Sequence, residues 1–250
     1  MDPRSWIPYG RALVDYWSGK SSATVIVHES NGRKRKMPMG MFFRGPAEFP
    51  TIEQTALSFC RGRILDIGAG AGCHSLALQE RGFSVCAVDI SEEAVEVMRQ
   101  RGVREVYCAD IFNFKAEPFD TLLMMMNGIG VVESLADLDR FLETVRCLVK
   151  PDGQILLDSS DMRKDTKGYP TKLAPKIDSR SGRYIGQVWF QLEYRGKRGL
   201  PFWWLFVDSE TLTERAEKSG WLCQVIYQEW GGHYLARLIP KDPGWFPAER

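Results

Sequence analysis

The chain predicts an α/β fold: a doubly wound sandwich on a mostly parallel seven-stranded sheet that closes with a C-terminal antiparallel hairpin. Three observations carry this. Between about 51 and 157 the sequence repeats one grammar of helix, glycine and strand. The first strand there, 63–67, runs into Gly68-Ala69-Gly70-Ala71-Gly72, with glycines at alternate positions. Near the end, β-rich runs at 222–229 and 233–239 are separated only by Trp230-Gly231-Gly232, a hairpin spacing. Strands alternating with helices imply a parallel sheet covered on both faces, and right-handed crossovers then fix a doubly wound topology.

Each element has a local reason. Thr51 is placed to cap a helix, with Gln54 as its capping-box partner, and Ile52, Ala56, Phe59 and Cys60 share one face. Gly62 stops that helix before strand 63–67. A helix over 73–81 ends at Gly82, and 84–89 is a second strand. Ser91 caps the next helix, with Glu92 and Glu93 favourable to its dipole. Gly102 ends that helix, and strand three follows at 106–109. Residues 121–126 read as a buried fourth strand that includes the methionine run 124–126. Leu138, Phe141, Leu142, Val145, Leu148 and Val149 repeat at helical spacing. Pro151-Asp152-Gly153 then turns the chain into a fifth strand, 154–159. A last helix, 210–219, stops at Gly220 before the hairpin.

Two regions lie outside this grammar. Residues 1–50 hold a helix over 7–17, a short strand over 24–28 and the basic run Arg33-Lys34-Arg35-Lys36, read as a solvated turn. Residues from about 160 to 208 hold a polar loop and a β-rich insertion at 184–194 and 201–207, rich in aromatic residues. The expected organisation is therefore an N-terminal lid segment, 1–50, and a main domain, 51–250, with a substrate-side insertion at 160–208. Both outlying regions are expected at the C-terminal ends of the strands, where open α/β sheets bind ligands.

Composition is that of an ordinary globular protein: 44% hydrophobic, 26% charged and a net charge of +1. That charge gives no case for a nucleic-acid partner or a membrane surface. No apolar signal core or spanning segment is visible, and the six cysteines show no C-x-x-C spacing. The expectation is a cytoplasmic protein with reduced, packed cysteines and no metal, since His28, His74 and His233 do not form a metal spacing. Oligomeric state is left open.

Asp66-x-Gly68-x-Gly70-x-Gly72, an acid ending strand two (Asp89) and Asp110-Ile111 after strand three together resemble class I S-adenosylmethionine-dependent methyltransferases. With Gly68 to Ser75, Met126-Asn127-Gly128-Ile129-Gly130 and Leu157-Asp158-Ser159-Ser160-Asp161, the chain is similar to an uncharacterised bacterial branch of that family. The resemblance covers roughly 50–160 and the closing helix and hairpin, and implies a Rossmann-like sandwich with S-adenosyl-L-methionine as cofactor. The rival is a nicotinamide or flavin fold, whose fingerprint is G-x-G-x-x-G. Here the spacing is G-x-G-x-G and Asp66 precedes it.

The resemblance assigns roles. Gly68, Ala69, Gly70 and Gly72 would let backbone lie against the cofactor's tail and ribose. Asp66 would meet the ammonium, Asp89 and its neighbour Ile90 the ribose, and Asp110 with the Ile111 backbone the adenine. His74 and Gly128 are further candidate contacts. Asn127 would sit where methyl and acceptor meet, and Asp158 and His233 join it as catalytic candidates. Phe43, Arg44, Tyr16 and Trp204 are the lid and substrate candidates. Amide and base-amine enzymes of the family carry Asn/Asp-Pro-Pro-aromatic after strand four, and this chain has Asn127-Gly128-Ile129-Gly130. By exclusion the expected acceptor is a small molecule. The alternatives are a protein or RNA target, or a catalytically silent cofactor-binding module.

Overall fold

The computed structural model describes residues 1–164, 176–179 and 181–241. The polar loop of the insertion expected near 160 lies largely outside them.

The main sheet has seven strands in the order β11-β12-β7-β6-β3-β4-β5. They are β3 (Arg63–Ile67), β4 (Ser84–Asp89), β5 (Glu105–Cys108), β6 (Phe119–Met124), β7 (Val149–Ser160), β11 (Trp221–Gln228) and β12 (His233–Pro240). Neighbours from β5 to β7 are parallel, while β12 runs antiparallel to both β7 and β11. Helices α2 (Thr51–Phe59), α3 (Cys73–Glu80), α4 (Glu92–Arg101), α5 (Leu135–Thr144) and α6 (Ser209–Lys218) connect them. Alternation along the strands sends side chains to opposite faces. Leu65, Leu122 and Leu157 pack with α5 and α6, whereas Ile64, Leu123 and Leu156 pack with α2 and α3.

The caps explain most boundaries. Ser91 Oγ accepts the Ala94 N–H (3.3 Å) at the start of α4, and Gly102 closes it at φ 96°. Asp208 caps α6 through the Thr211 N–H. The capping box expected at Thr51 is absent. Thr51 is already inside α2, Pro50 holds the cap position without a side-chain bond, and Gln54 donates instead to the Phe49 carbonyl (2.7 Å). Pro151-Asp152-Gly153 does not precede the fifth strand but lies within β7, where the register against β6 shifts. A strand irregularity absorbs the proline that reads as a turn. The methionine run divides: Met124 ends β6, and Met126 stands outside it at φ 65°.

The two outlying regions share one structure. α1 (Ile7–Trp17) is followed by β1 (Thr24–Glu29) and β2 (Lys34–Pro38), and the insertion supplies β8 (Gln187–Tyr194), β9 (Lys197–Arg198) and β10 (Phe202–Leu205). These strands form a second, antiparallel sheet ordered β10-β8-β1-β2, with β9 on β8. The basic run is thus mostly edge strand, not turn. Lys34, Arg35 and Lys36 are exposed on it, and charge on an edge discourages pairing with another chain. α1 seats this sheet on the main domain. Gly10 has no Cβ, and one built there would lie 2.6 Å from Glu93 and Ser91 at the start of α4.

Candidate active site

A cavity of 460 Å³ opens between the C-terminal ends of the parallel strands and the second sheet, within the usual range for a small-molecule site. Its floor is the turn after β3. Gly68 (φ 69°) and Gly70 (φ 60°) are both left-handed, a conformation that costs other residues about 1–2 kcal/mol. Gly70 also faces α1: a Cβ there would lie 2.6 Å from the Tyr9 hydroxyl. Gly70→Ala is therefore expected to lower both the melting temperature and the affinity for S-adenosylhomocysteine, whereas Tyr9→Phe should leave the turn standing. Wild-type affinity in Gly70→Ala, measured by calorimetric titration, would refute close approach at this glycine.

Three acids line the cavity from successive strand ends: Asp66, Asp89 and Asp110. Asp66 is buried, and Ser75 Oγ donates to its Oδ2 (2.6 Å). Burial raises its pKa above the ordinary carboxylate value. Asp89 accepts the Gly70 N–H on Oδ2 and the Ser91 N–H on Oδ1, each at 2.9 Å. Burial pushes its carboxyl up to about 6 despite those bonds. Asp110 accepts the Phe112 N–H (3.0 Å) and is the more exposed of the three.

A second polar cluster stands beside the glycine turn. Glu53, on the first turn of α2, is buried and receives Arg44 Nη2 at 2.9 Å and His74 Nε2 at 2.9 Å. Burial opposes charge on His74, but bonding to Cys73 and Glu53 and the nearby Asp66 carboxylate outweigh it and raise its pKa well above 6.5. Burial likewise works against the Glu53 carboxylate, and His74 and Arg44 hold it below the usual range. All three line the cavity, as does Tyr9. Sequence reading missed Glu53 and Tyr9, since nothing local distinguishes them from ordinary helix residues.

Among the residues expected at the site, Asp66, Gly68, Ala69, Gly70, His74, Asp89, Ile90, Asp110, Ile111, Asn127 and Gly128 line this cavity together, and Arg44 and Trp204 border it. Met125 and Met126, read as buried strand, border it as well, because β6 ends at Met124 and the chain turns there. Gly72, Phe43, Tyr16, Asp158 and His233 do not line it. Gly72 (φ 78°) instead lets α3 pack near Val103 and Met98. Phe43 packs on Tyr16 at 4.6 Å and under Arg101 at 4.8 Å. The Asp158 carboxylate points away from the cavity, to the Asn127 amide and the His233 ring. His28 bonds Glu193 (2.8 Å) outside it.

A methyltransferase-domain family model matches residues 65–157. A crystal structure of an S-adenosylmethionine-dependent methyltransferase from Bacteroides fragilis, in complex with S-adenosyl-L-homocysteine, is 36% identical with a TM-score of 0.83, covering 96% of this chain and 97% of that one. The chain belongs to the class I S-adenosylmethionine-dependent methyltransferases. Its cofactor is S-adenosyl-L-methionine, and the seven-stranded sheet with its antiparallel hairpin is the fold of the family. Among curated relatives, the ubiquinone biosynthesis O-methyltransferase of Caulobacter vibrioides is 34% identical over 165 residues, 61% of each chain. That of Caulobacter sp. (strain K31) is 36% identical over 103 residues, 38% of this chain and 39% of the relative. The methyltransferase thus spans 39–61% of the length of these two relatives. Among the described residues, no helix is long and apolar enough to cross a membrane.

Proposed function

We propose that this methyltransferase alkylates a small cytoplasmic molecule with a flat, apolar body. The observation that carries the reading is the cavity's second wall. Opposite the acids, it is built from one face of the second sheet: Val27, Met37, Phe190, Leu192, Phe202 and Trp204, with one charged side chain among them, Arg35, laid over the Phe190 ring. Register explains the shared face, for Phe202 pairs with Phe190 and Val27 with Leu192. Such a wall favours ring and hydrocarbon surface and excludes water. Two relatives carry names in ubiquinone biosynthesis O-methylation, which accords with a small-molecule acceptor.

The cofactor fits the opposite wall by charge and by space. The glycines leave room for backbone approach, and three carboxylates line one cavity, which suits a ligand carrying an ammonium, a ribose diol and an adenine amine. When bound, S-adenosylmethionine supplies a methyl carbon already activated by its sulfonium. In our reading Asp66 binds the ammonium, Asp89 the ribose hydroxyls, and Asp110 with the Ile111 backbone the adenine. Arg44 and His74 present positive charge to the carboxylate of the tail. Asn127 orients the reacting end, and alignment of nucleophile with methyl supplies much of the rate. Among the described residues, no aspartate, glutamate or histidine of the second sheet lines the cavity. The reading therefore favours an acceptor whose nucleophile ionises without a base from that wall.

A screen of fractionated cell extract with methyl-labelled cofactor tests the proposal. Label is expected in the apolar small-molecule fraction; label confined to protein or RNA would overturn it. With the acceptor in hand, Trp204→Ala should raise its KM by roughly tenfold, the loss of about 1.4 kcal/mol of ring contact. The affinity for S-adenosylhomocysteine should stay within about threefold of wild type, under the 1.4 kcal/mol that makes a tenfold change.

A further inference from the structure

The chain leaves β6 through two successive non-glycine residues in the left-handed region, Met126 (φ 65°) and Asn127 (φ 58°). Such a step persists only where its surroundings over-determine it. Both residues line the cavity. The restraint comes from behind, from the ends of two neighbouring strands. The Asn127 N–H donates to Asp158 Oδ1 (2.8 Å), and Ser160 Oγ donates to Asn127 Oδ1 (2.8 Å). Asp158 and Ser160 are two apart on β7 and so share a face, and Ser160 is the register partner of His233 on β12.

Asp158 is 1% exposed, and a carboxylate so buried needs a partner. His233 provides it, with Nε2 2.7 Å from Asp158 Oδ2. Glu229 lies 3.6 Å from the other ring nitrogen. Burial works against charge on the imidazole, but bonding to Asp158 and the nearby Glu229 outweigh it and raise its pKa. Neither member of the pair borders the cavity.

We propose that Asp158 and His233 are positioning residues: together they pin the left-handed Met126–Asn127 step and so fix how Asn127 meets the cavity. That Asn127 touches cofactor or acceptor rests on the function proposed above; that the pair fixes its backbone does not. An arrangement in which a buried carboxylate grips a strained amide, and a histidine grips the carboxylate, gives the site rigidity without placing a base in it.

Amide hydrogen exchange read by NMR tests this on the full chain. In His233→Ala, exchange at Asn127 is expected to rise by about tenfold or more over that at Leu156 and Leu235, in the adjoining strands, as local opening becomes easier. His233→Gln keeps an N–H donor and should return Asn127 most of the way to wild type. Asp158→Asn, close in shape, guards against a folding defect and should also speed exchange at Asn127, because a neutral amide is a weaker acceptor. The proposal is overturned if Asn127 exchange stays within about twofold of wild type in either His233→Ala or Asp158→Asn. It also fails if exchange rises only in step with Leu156 and Leu235, which would mean general loosening of the sheet edge. Calorimetric titration with S-adenosylhomocysteine keeps the two readings apart: a wild-type chain that does not bind it removes the cofactor role of Asn127 while leaving the exchange result intact.

Discussion

Asp89→Ala is expected to weaken S-adenosylhomocysteine binding by roughly 30- to 150-fold, or about 2–3 kcal/mol, the worth of hydrogen bonds to a charged acceptor. Two losses combine. In our reading the ribose hydroxyls lose their acceptor. In the structure, the Gly70 and Ser91 amides lose theirs, so the glycine turn loosens too. Asp89→Asn separates the two, since an amide oxygen still accepts from one backbone N–H. An unchanged affinity in the alanine variant, by calorimetry, would refute the ribose assignment. The same group predicts a pH dependence. Its carboxyl is raised to about 6 from 3.8, so the folded apo protein holds this proton more tightly than the unfolded chain does. Its contribution to stability is therefore fully present below pH 3.8 and lost as pH rises through about 6. Cofactor affinity should move the other way, falling as pH drops through about 6 and the acceptor is protonated. Melting scans and titrations across pH 4.5–7, a window spanning about one unit either side of that value, should show these opposite trends. Parallel trends would mean that another group dominates.

Gly130→Ala is expected to destabilise the chain strongly. A Cβ at Gly130 would lie 2.0 Å from the Trp204 indole, in the seam where β10 rests on the loop after β6. The ring packs on Trp6 (5.8 Å) and Phe202 (6.3 Å), so it can yield only by turning toward the cavity it borders. Overpacking of this kind costs roughly 1–3 kcal/mol, a fall of about 2–12 °C in melting temperature for a chain of this size. Trp204→Ala made in the same chain should recover much of that, giving a coupling of about 1 kcal/mol or more in a double-mutant cycle. Strictly additive effects would show that the seam is not where the two sheets are joined.

The cofactor half was legible because its signals are local. Gly82 and Gly102 end helices and Ser91 starts one, while α2 stops at Phe59 with extended Cys60 at its cap and not at Gly62; β3 and β4 follow with the bounds the pattern predicts. Acids ending successive parallel strands must converge at one end of the sheet, so Asp66, Asp89 and Asp110 could be placed together before any coordinates. Asn127 could be placed by the same logic. What failed to show was whatever depends on distant partners. Nothing near Val27 announces Leu192, and nothing near Glu53 announces His74 and Arg44. Pro151 reads as a turn because the local pattern carries no sign of the irregularity that admits it to β7. Asp158 and His233 were recognisable as chemical groups at strand ends, but only the β7–β12 register shows that they face each other behind Asn127 instead of facing the cavity.

The second sheet joins strands far apart in the chain; His28 on β1 and Glu193 on β8 are bonded across 165 residues. Closing a loop of that span is slow, while the strand–helix–strand units between them need only neighbours. During synthesis the cofactor turn at 68–72 can therefore be in place while β1 and β2 still wait, with one edge unpaired, for β8 to emerge. The second sheet is therefore completed after the turn at 68–72 has formed, but before α6 and the β11–β12 hairpin close the main sheet.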